Sequence, residues 1–336
     1  MADIRTVAAA AGVSIATVSR VLKTPDVVTK ATRDKVLAAV EATGYRPNAL
    51  ASGLRRAKSD NIVVVVPFIQ NPFFSGVIQG IEGVAFAEGY QVLLGESQND
   101  LERLDSYTAM LRSKTADGLI LLGAALPSQI PDKTPLVLAC EYFPDHRIPA
   151  IRIDNEAAAR EATNHLIGLG HERIGKISGP ADNQLSRDRI AGYRAALAAA
   201  GLAYDESLVV EGLFDVESGH RAMTRMMDLP QPPTAVFSSS DEMAIGALKA
   251  AREHGKRVPD DLSLIGFDGI RFADFCDPPL TTMVQPNVEI GAAAARMMIG
   301  MLRGGEAPAD DIVLTASLLV RQSTGPLKAS CGKGRP

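Results

Sequence analysis

Residues 6–22 read TVAAAAGVSIATVSRVL, and this stretch decides the architecture of the N-terminal region. Two helices that cross closely need a small residue at the crossing, which Ala8 supplies. The tight turn between them needs a residue tolerant of positive φ, which Gly12 supplies. Val18 and Val21, three apart, give the second helix an inward face. Ile15, Ala16, Thr17 and Arg20 are left pointing outward. In a helix-turn-helix the N-terminal residues of the second helix enter the major groove. There an arginine such as Arg20 pairs with guanine, while Ile15 or Ala16 can touch a thymine methyl. The competing reading of this segment alone is an alanine-rich helical hairpin without function.

Working outward, Asp3 is placed to cap a helix over 4–11 and Ser14 a helix over 15–22. Thr29 opens a third helix running to about residue 43, with Val36, Leu37 and Val40 as its apolar positions, and Gly44 stops it. After Pro47, residues 48–56 form a marginal helix of small and basic residues with little to bury. Residues 1–60 hold ten Lys/Arg against five Asp/Glu, whereas the other 276 residues hold 25 against 34. A basic head on an acidic body fits a head that meets a polyanion.

From Asn61 onward short buried-type runs alternate with amphipathic helices. The runs are NIVVVV (61–66), YQVLL (90–94), GLILL (118–122), PLVLA (135–139), RIGKI (173–177), SLVV (207–210), TAVF (234–237) and LSLIG (262–266). This βαβ alternation implies parallel sheets covered by helices on both faces. About eleven strands exceed one ordinary doubly wound sheet, so two similar lobes are expected.

Several classes are excluded. Three cysteines, odd in number and far apart, make neither a disulfide framework nor a zinc site. No apolar run approaches the length of a membrane span, and no secretory signal pattern opens the chain, so a cytoplasmic location is expected. The first strand is followed by VPFIQNPFF rather than G-x-G-x-x-G. There is no P-loop and no G-x-S-x-G elbow. His165 and His171 are not spaced as a metal pair, and His171 reads as the C-terminal cap of a helix. Neither catalytic activity nor a cofactor is expected.

Ligands of open α/β sheets bind beyond the carboxyl ends of strands, and with two lobes that means the cleft between them. Phe73, Phe74, Arg187, Arg189, Phe214, Asp268 and Gln285 all follow strand ends. Aromatic faces with Arg, Asp and Gln forks suit a polyhydroxylated ring, whose C–H face stacks and whose hydroxyls need paired hydrogen bonds. Asp241 also follows a strand, but capping the helix over 241–254 suffices to explain it.

The order AAGVSIATVSRVL, then VTKATRDKVLAAVEATGYRPNALASGLRR, resembles the head of the lactose/galactose repressor family of transcription regulators. Downstream, VVVPFIQNPFFSGVIQGIE (64–82), LGHERIGKISGP (169–180), PTAVFSSSDEMAIGAL (233–248), DLSLIGFD (261–268) and PPLTTMVQP (278–286) extend the likeness over nearly the whole chain. The resemblance implies a small all-α helix-turn-helix head on an α/β core. That core has the two-lobed fold of periplasmic binding proteins, two doubly wound parallel sheets. It implies a head over 1–46, a hinge over 47–60, a core over 61–325 and a tail over 326–336. Lobe 1 is about 61–157 plus 288–315, and lobe 2 about 158–285 plus 316–325.

By the same resemblance Tyr45, Asn48, Leu54 and Arg55 join Ile15, Ala16, Thr17 and Arg20 on the DNA, with Leu54 wedged into the minor groove. Gly53 departs from the Ser- or Thr-like residue common there. Phe73, Phe74, Arg189, Phe214 and Asp268 occupy the family's ligand positions. A repressor is implied, binding a near-palindromic double-stranded operator as a homodimer. A small effector controls it. NPFFSGVIQGIE, ACEYFPD and FCDPPLTTMVQP point to a nucleoside, while NQLSRDR (183–189) is similar to members that sense free sugars. The alternative is a free-standing sugar-binding protein of a transport system, which would carry a signal peptide and no basic helical head.

Overall fold

The computed structural model describes residues 3–45, 58–131, 134–308 and 310–327. The chain forms two compact units, Met1–Ser59 and Asp60–Pro336. The segment 48–56, with Asn48, Leu54 and Arg55, lies outside the described residues.

In the first unit, α1 (Ile4–Ala11) starts at Asp3, whose carboxylate accepts from the Thr6 N–H. It stops at Gly12, which adopts φ 66°. Ser14 Oγ accepts from the Thr17 N–H to open α2 (Ile15–Lys23), and α2 lies at 101° to α1. The third helix, α3 (Lys30–Thr43), ends at Gly44 with φ 63°. Val7, Ala8, Val18, Val21, Val36 and Ala39 are buried together. Leu37, expected inward, is 47% exposed. The inward positions are Val36, Ala39 and Val40, spaced by three and four residues, and Leu37 stands a step of about 100° off that face.

The second unit holds two six-stranded sheets. The first comprises β1 (Asn61–Val66), β2 (Gln91–Glu96), β3 (Gly118–Leu121), β4 (Leu136–Ala139), β5 (Ala150–Ile153) and β11 (Ile312–Leu314), in the order β11-β5-β4-β3-β1-β2. Every pairing in it is parallel. The second comprises β6 (Ile174–Ser178), β7 (Val209–Glu211), β8 (Ala235–Ser238), β9 (Ser263–Asp268), β10 (Thr281–Val284) and β12 (Ser317–Leu319), in the order β12-β10-β9-β8-β6-β7. Only β12 is antiparallel there. The run SLVV (207–210) becomes strand two residues later than it reads, over Val209–Glu211. Asp205 accepts from the Ser207 N–H and holds Glu206–Leu208 as a 3-10 turn, so pairing begins at Val209.

The covering helices are α4 (Phe73–Ala87), α5 (Leu101–Arg112), α6 (Asn155–Gly168), α7 (Gln184–Ala199), α8 (Val216–Met227), α9 (Asp241–Glu253) and α10 (Asn287–Leu302). Six of them pack in pairs, α4 on α10, α6 on α7 and α8 on α9, while α5 packs on β1 and β3. The first pair approaches so closely that a Cβ on Gly80 would overlap the Val288 carbonyl, and one on Gly291 the Val77 carbonyl. The chain passes between the sheets three times, at β5 to α6, at β10 to α10 and at β11 to β12. The strands' carboxyl ends therefore face a common cleft.

Candidate functional site

The cleft encloses a cavity of about 450 Å³, within the range that takes small ligands. Phe73 and Phe74 enter it from the first turn of α4. Asn71 sets that turn by accepting from the Phe73 N–H at 2.9 Å, and the two rings meet edge to face at 5.2 Å. Phe214 enters from the opposite lobe, after β7, at φ 61°. Gly179 makes room for it, since a Cβ there would fall on the Phe214 ring.

Asp268 ends β9 at φ 112°, a conformation L residues rarely adopt. The turn behind it is held by Asp241, which accepts from the Gly269 N–H at 2.8 Å, the Ile270 N–H at 2.9 Å and the Thr282 hydroxyl at 2.6 Å. The expectation that Asp241 caps α9 is thus corrected. Ser240 caps the helix by accepting from the Met243 N–H, because only the residue before the first turn has its side chain beside those free donors.

The Asp268 Oδ1 accepts from Gln285 Nε2 at 2.9 Å and stands 3.9 Å from Arg189 Nη1. Burial raises the Asp268 carboxyl to about 8, more than Arg189 lowers it. Arg189 is itself buried. Its Nε donates to Asn155 Oδ1 at 2.9 Å, its Nη1 to the Ser239 carbonyl at 2.5 Å, and its plane lies 3.8 Å over the Phe267 ring. Lys176 braces the same strand end, its amine donating to Ser239 Oγ and lying 3.6 Å from the Phe237 ring. Full burial pushes that amine well below its ordinary range.

Of the predicted cleft residues, Phe73, Phe74, Arg189, Phe214, Asp268 and Gln285 line one cavity. Arg187 does not, which corrects its placement in the effector site. It is exposed on α7 and donates to the Ala181 and Asp182 carbonyls and to Gln184 Oε1. One helical turn carries Arg189 inward, and Arg187, two residues earlier, onto another face. His171 is likewise corrected. Its backbone N–H bonds the Leu166 carbonyl, but its buried ring ties Thr234, Ser263 and the Gly325 carbonyl together between strands.

Sequence reasoning missed Glu141, Asn183 and Glu242. Glu141 follows β4 and lines the cavity, one oxygen accepting from Asn183 Nδ2 at 3.2 Å. Burial raises its carboxyl to about 7, and the same cause raises Glu242, also in the lining, to about 7. The strand-end rule that found Asp268 applies equally to Glu141, two residues beyond PLVLA. Among the described residues, no group of three His, Cys, Asp or Glu side chains is arranged to hold a metal ion.

On the head, Ile15 is 41% exposed, and Ala16 and Arg20 are exposed beside it on α2. Thr17 is half-buried, its hydroxyl 2.8 Å from Ser14 Oγ. Tyr45 is half-buried against the head core. Among the described residues no single helix is long and apolar enough to cross a membrane.

A helix-turn-helix head with an open, polar face on its second helix, preceding two parallel-sheet lobes that enclose a polar and aromatic cavity, defines a class of DNA-binding transcription regulators rather than enzymes. The family model "Bacterial regulatory proteins, lacI family" matches residues 3–48, and "Periplasmic binding protein-like domain" matches residues 163–324. The chain is 42% identical to the HTH-type transcriptional repressor CytR of Escherichia coli (strain K12), over 96% of each chain. Among solved structures it is similar to a transcriptional regulator CelR–cellobiose complex, with 34% identity, a TM-score of 0.71 and coverage of 96% of this chain and 100% of that one. It is also similar to the lac repressor dimer bound to operator and the anti-inducer ONPF, with 26% identity, a TM-score of 0.86 and coverage of 96% and 99%. The chain belongs to the lacI family of bacterial regulatory proteins, with a helix-turn-helix head and a periplasmic-binding-protein-like core.

Proposed function

We propose that this regulator represses transcription from a near-palindromic operator as a cytoplasmic homodimer, and that a sugar or nucleoside in the inter-lobe cleft controls its hold on DNA. The observation that carries the effector reading is that the Asp268, Gln285 and Arg189 cluster shares one cavity with Phe74 of the first lobe and Phe214 of the second. A carboxyl and a fixed guanidinium suit vicinal hydroxyls, and aromatic faces suit a sugar or base ring. The relatives support both halves of the reading. One is a complex with cellobiose and another is bound to operator.

On DNA, Ile15, Ala16, Thr17 and Arg20 read bases from α2. Tyr45, Asn48 and Arg55 hold the flanking backbone, and Leu54 enters the minor groove. Two heads are needed because one module buries too little surface for tight specific binding. The test is a thermal-shift screen of pentoses, hexoses, nucleosides and purine bases, followed by operator titration with each ligand that stabilises the protein. The reading predicts at least one ligand that does both. Failure of all four classes to stabilise the protein counts against the cleft assignment, and sedimentation as a monomer at micromolar concentration counts against the dimer.

A further inference from the structure

The cleft is lined by more acidic groups than basic ones. Glu141, Asp182, Asp215, Glu242 and Asp268 line it, against the single guanidinium of Arg189. Arg189 already donates to Asn155 and to the Ser239 carbonyl, and its charge is shared with Asp268, 3.9 Å away. Glu141 is distinct among these acids. It projects from the end of β4 in the first lobe, whereas the other four and Arg189 belong to the second. Its side chain is buried. Oε1 accepts from Asn183 Nδ2, but Oε2 is buried with no hydrogen-bond partner. A buried, unpaired carboxyl oxygen costs free energy that a bound partner would recover. Asn183 is itself fixed, since its Oδ1 caps α7 by accepting from the Ser186 N–H at 3.0 Å. Glu141 is therefore held across the cleft with one oxygen unpaired and closed off from solvent, which a ligand donor reaches when the side chain turns toward the cavity.

Resting on the effector reading above, we propose that Glu141 is an effector-recognition residue of the first lobe, and that the cleft admits uncharged or cationic ligands bearing a hydrogen-bond donor at Glu141 Oε2 while refusing anions such as sugar phosphates and nucleotides. A phosphate in this cavity would find no cation free to pair with it among the described residues, and above about pH 8, where Glu141, Glu242 and Asp268 have lost their protons, it would sit among ionised carboxyls. The low effective dielectric of the site magnifies that repulsion. An amine or hydroxyl in the same place satisfies Oε2 and links the two lobes through one ligand.

The experiment is calorimetric titration of the full-length protein with matched pairs: D-ribose and D-ribose 5-phosphate, D-glucose and D-glucose 6-phosphate, cytidine and its 5′-monophosphate, adenosine and its 5′-monophosphate. The expected result, at about pH 8.5 where these carboxyls are ionised, is that an uncharged member binds and its phosphate ester binds about 100-fold more weakly. Glu141→Gln keeps the size and the acceptor toward Asn183, and should narrow that gap about tenfold; Glu141→Ala should weaken the uncharged ligand. A phosphate ester that binds as well as its parent overturns the charge rule while leaving the cleft assignment standing. A gap unchanged in both variants assigns it to size and overturns the role of Glu141. If no member of any pair binds, the effector reading itself falls, and this inference with it.

Discussion

Arg189 Nη1 and Asp268 Oδ1 stand 3.9 Å apart, close enough to feel each other's charge and too far apart to share a hydrogen bond. Neither is free to close the gap. Arg189 is tied to Asn155 and Ser239, and Asp268 sits at φ 112° on a turn fastened by Asp241. Two rigid, mismatched partners leave a space shaped for a third group, and a pair of ligand hydroxyls fills that role. Pre-organisation of this kind favours binding because little ordering remains to be done.

Asp268→Ala should therefore weaken the effector by about 1–3 kcal/mol, roughly 5- to 150-fold in Kd, through ligand hydroxyls left unpaired in a desolvated site. Asp268→Asn, which keeps the size and one acceptor, should lose less. Ligand-free operator binding should persist in both variants, giving a regulator that reaches its operator and ignores its effector. A full ligand response in Asp268→Ala, measured by operator titration, would show Asp268 to be structural.

The same carboxyl sets a pH dependence. Burial lifts Asp268 from 3.8 to about 8, and Glu141, Asp241 and Glu242 to about 7. Between their unfolded and folded values these groups bind more protons in the native state, so stability falls as pH rises through that window. The ligand-free protein should lose melting temperature from pH 5 to pH 8.5, and Asp268→Asn should flatten the decline. Lys176, His165 and His171, whose burial lowers them, act in the opposite sense as pH rises, so the diagnostic reading is the difference between variants: a pH profile identical in Asp268→Asn and the parent protein would contradict the raised value of Asp268.

On the head, Arg20 is exposed beside Ile15 and Ala16. Arg20→Ala should cost about 1–3 kcal/mol on the cognate operator and relax base preference at one position of each half-site. Binding to unrelated DNA should fall only by the loss of one positive charge. Competition with a library of operator variants distinguishes loss of specificity from uniform weakening.

Much of this arrangement is legible in the sequence because it follows local rules. Gly12, Ser14 and the Val18–Val21 spacing specify the helix-turn-helix without reference to anything distant. Asp268 and Phe73 are visible because strand ends are visible. What escaped depends on tertiary facing. Arg187 and Arg189 are indistinguishable by spacing until α7 has a buried side. Asp241 looks like an ordinary cap until β10 brings Thr282 to it, 41 residues on. Glu141 met the strand-end rule but acquires meaning only from Asn183, 42 residues away on the other lobe.

Leu54 carries a prediction from sequence alone, as a lone large apolar residue among small and basic neighbours. Leu54→Ala should weaken operator binding strongly while leaving salt-dependent nonspecific binding nearly intact, because phosphate contacts supply the latter. Equal loss of both, across a salt titration, would remove the wedge role.

Gly179 offers a test of the aromatic wall that leaves every polar group in place. It follows β6, and a Cβ at this position would lie within the Phe214 ring and against Ser186 Oγ. Ser186 is fully buried and can yield only by turning its small hydroxyl, so the closer clash, with the Phe214 ring, decides the outcome and the ring must move. Phe214 already sits at φ 61°, a conformation that leaves its backbone little room to follow, so the displaced ring swings into the cavity it now walls. Gly179→Ala should thus lower effector affinity by about tenfold or more, as a small-to-large change forces side chains from their wells at about 1–3 kcal/mol. Combining it with Phe214→Ala tests the argument. With the ring gone the added methyl has nothing to displace, so the double variant should bind effector no worse than Phe214→Ala alone. If the two losses simply add, Gly179 acts through some route other than the Phe214 ring.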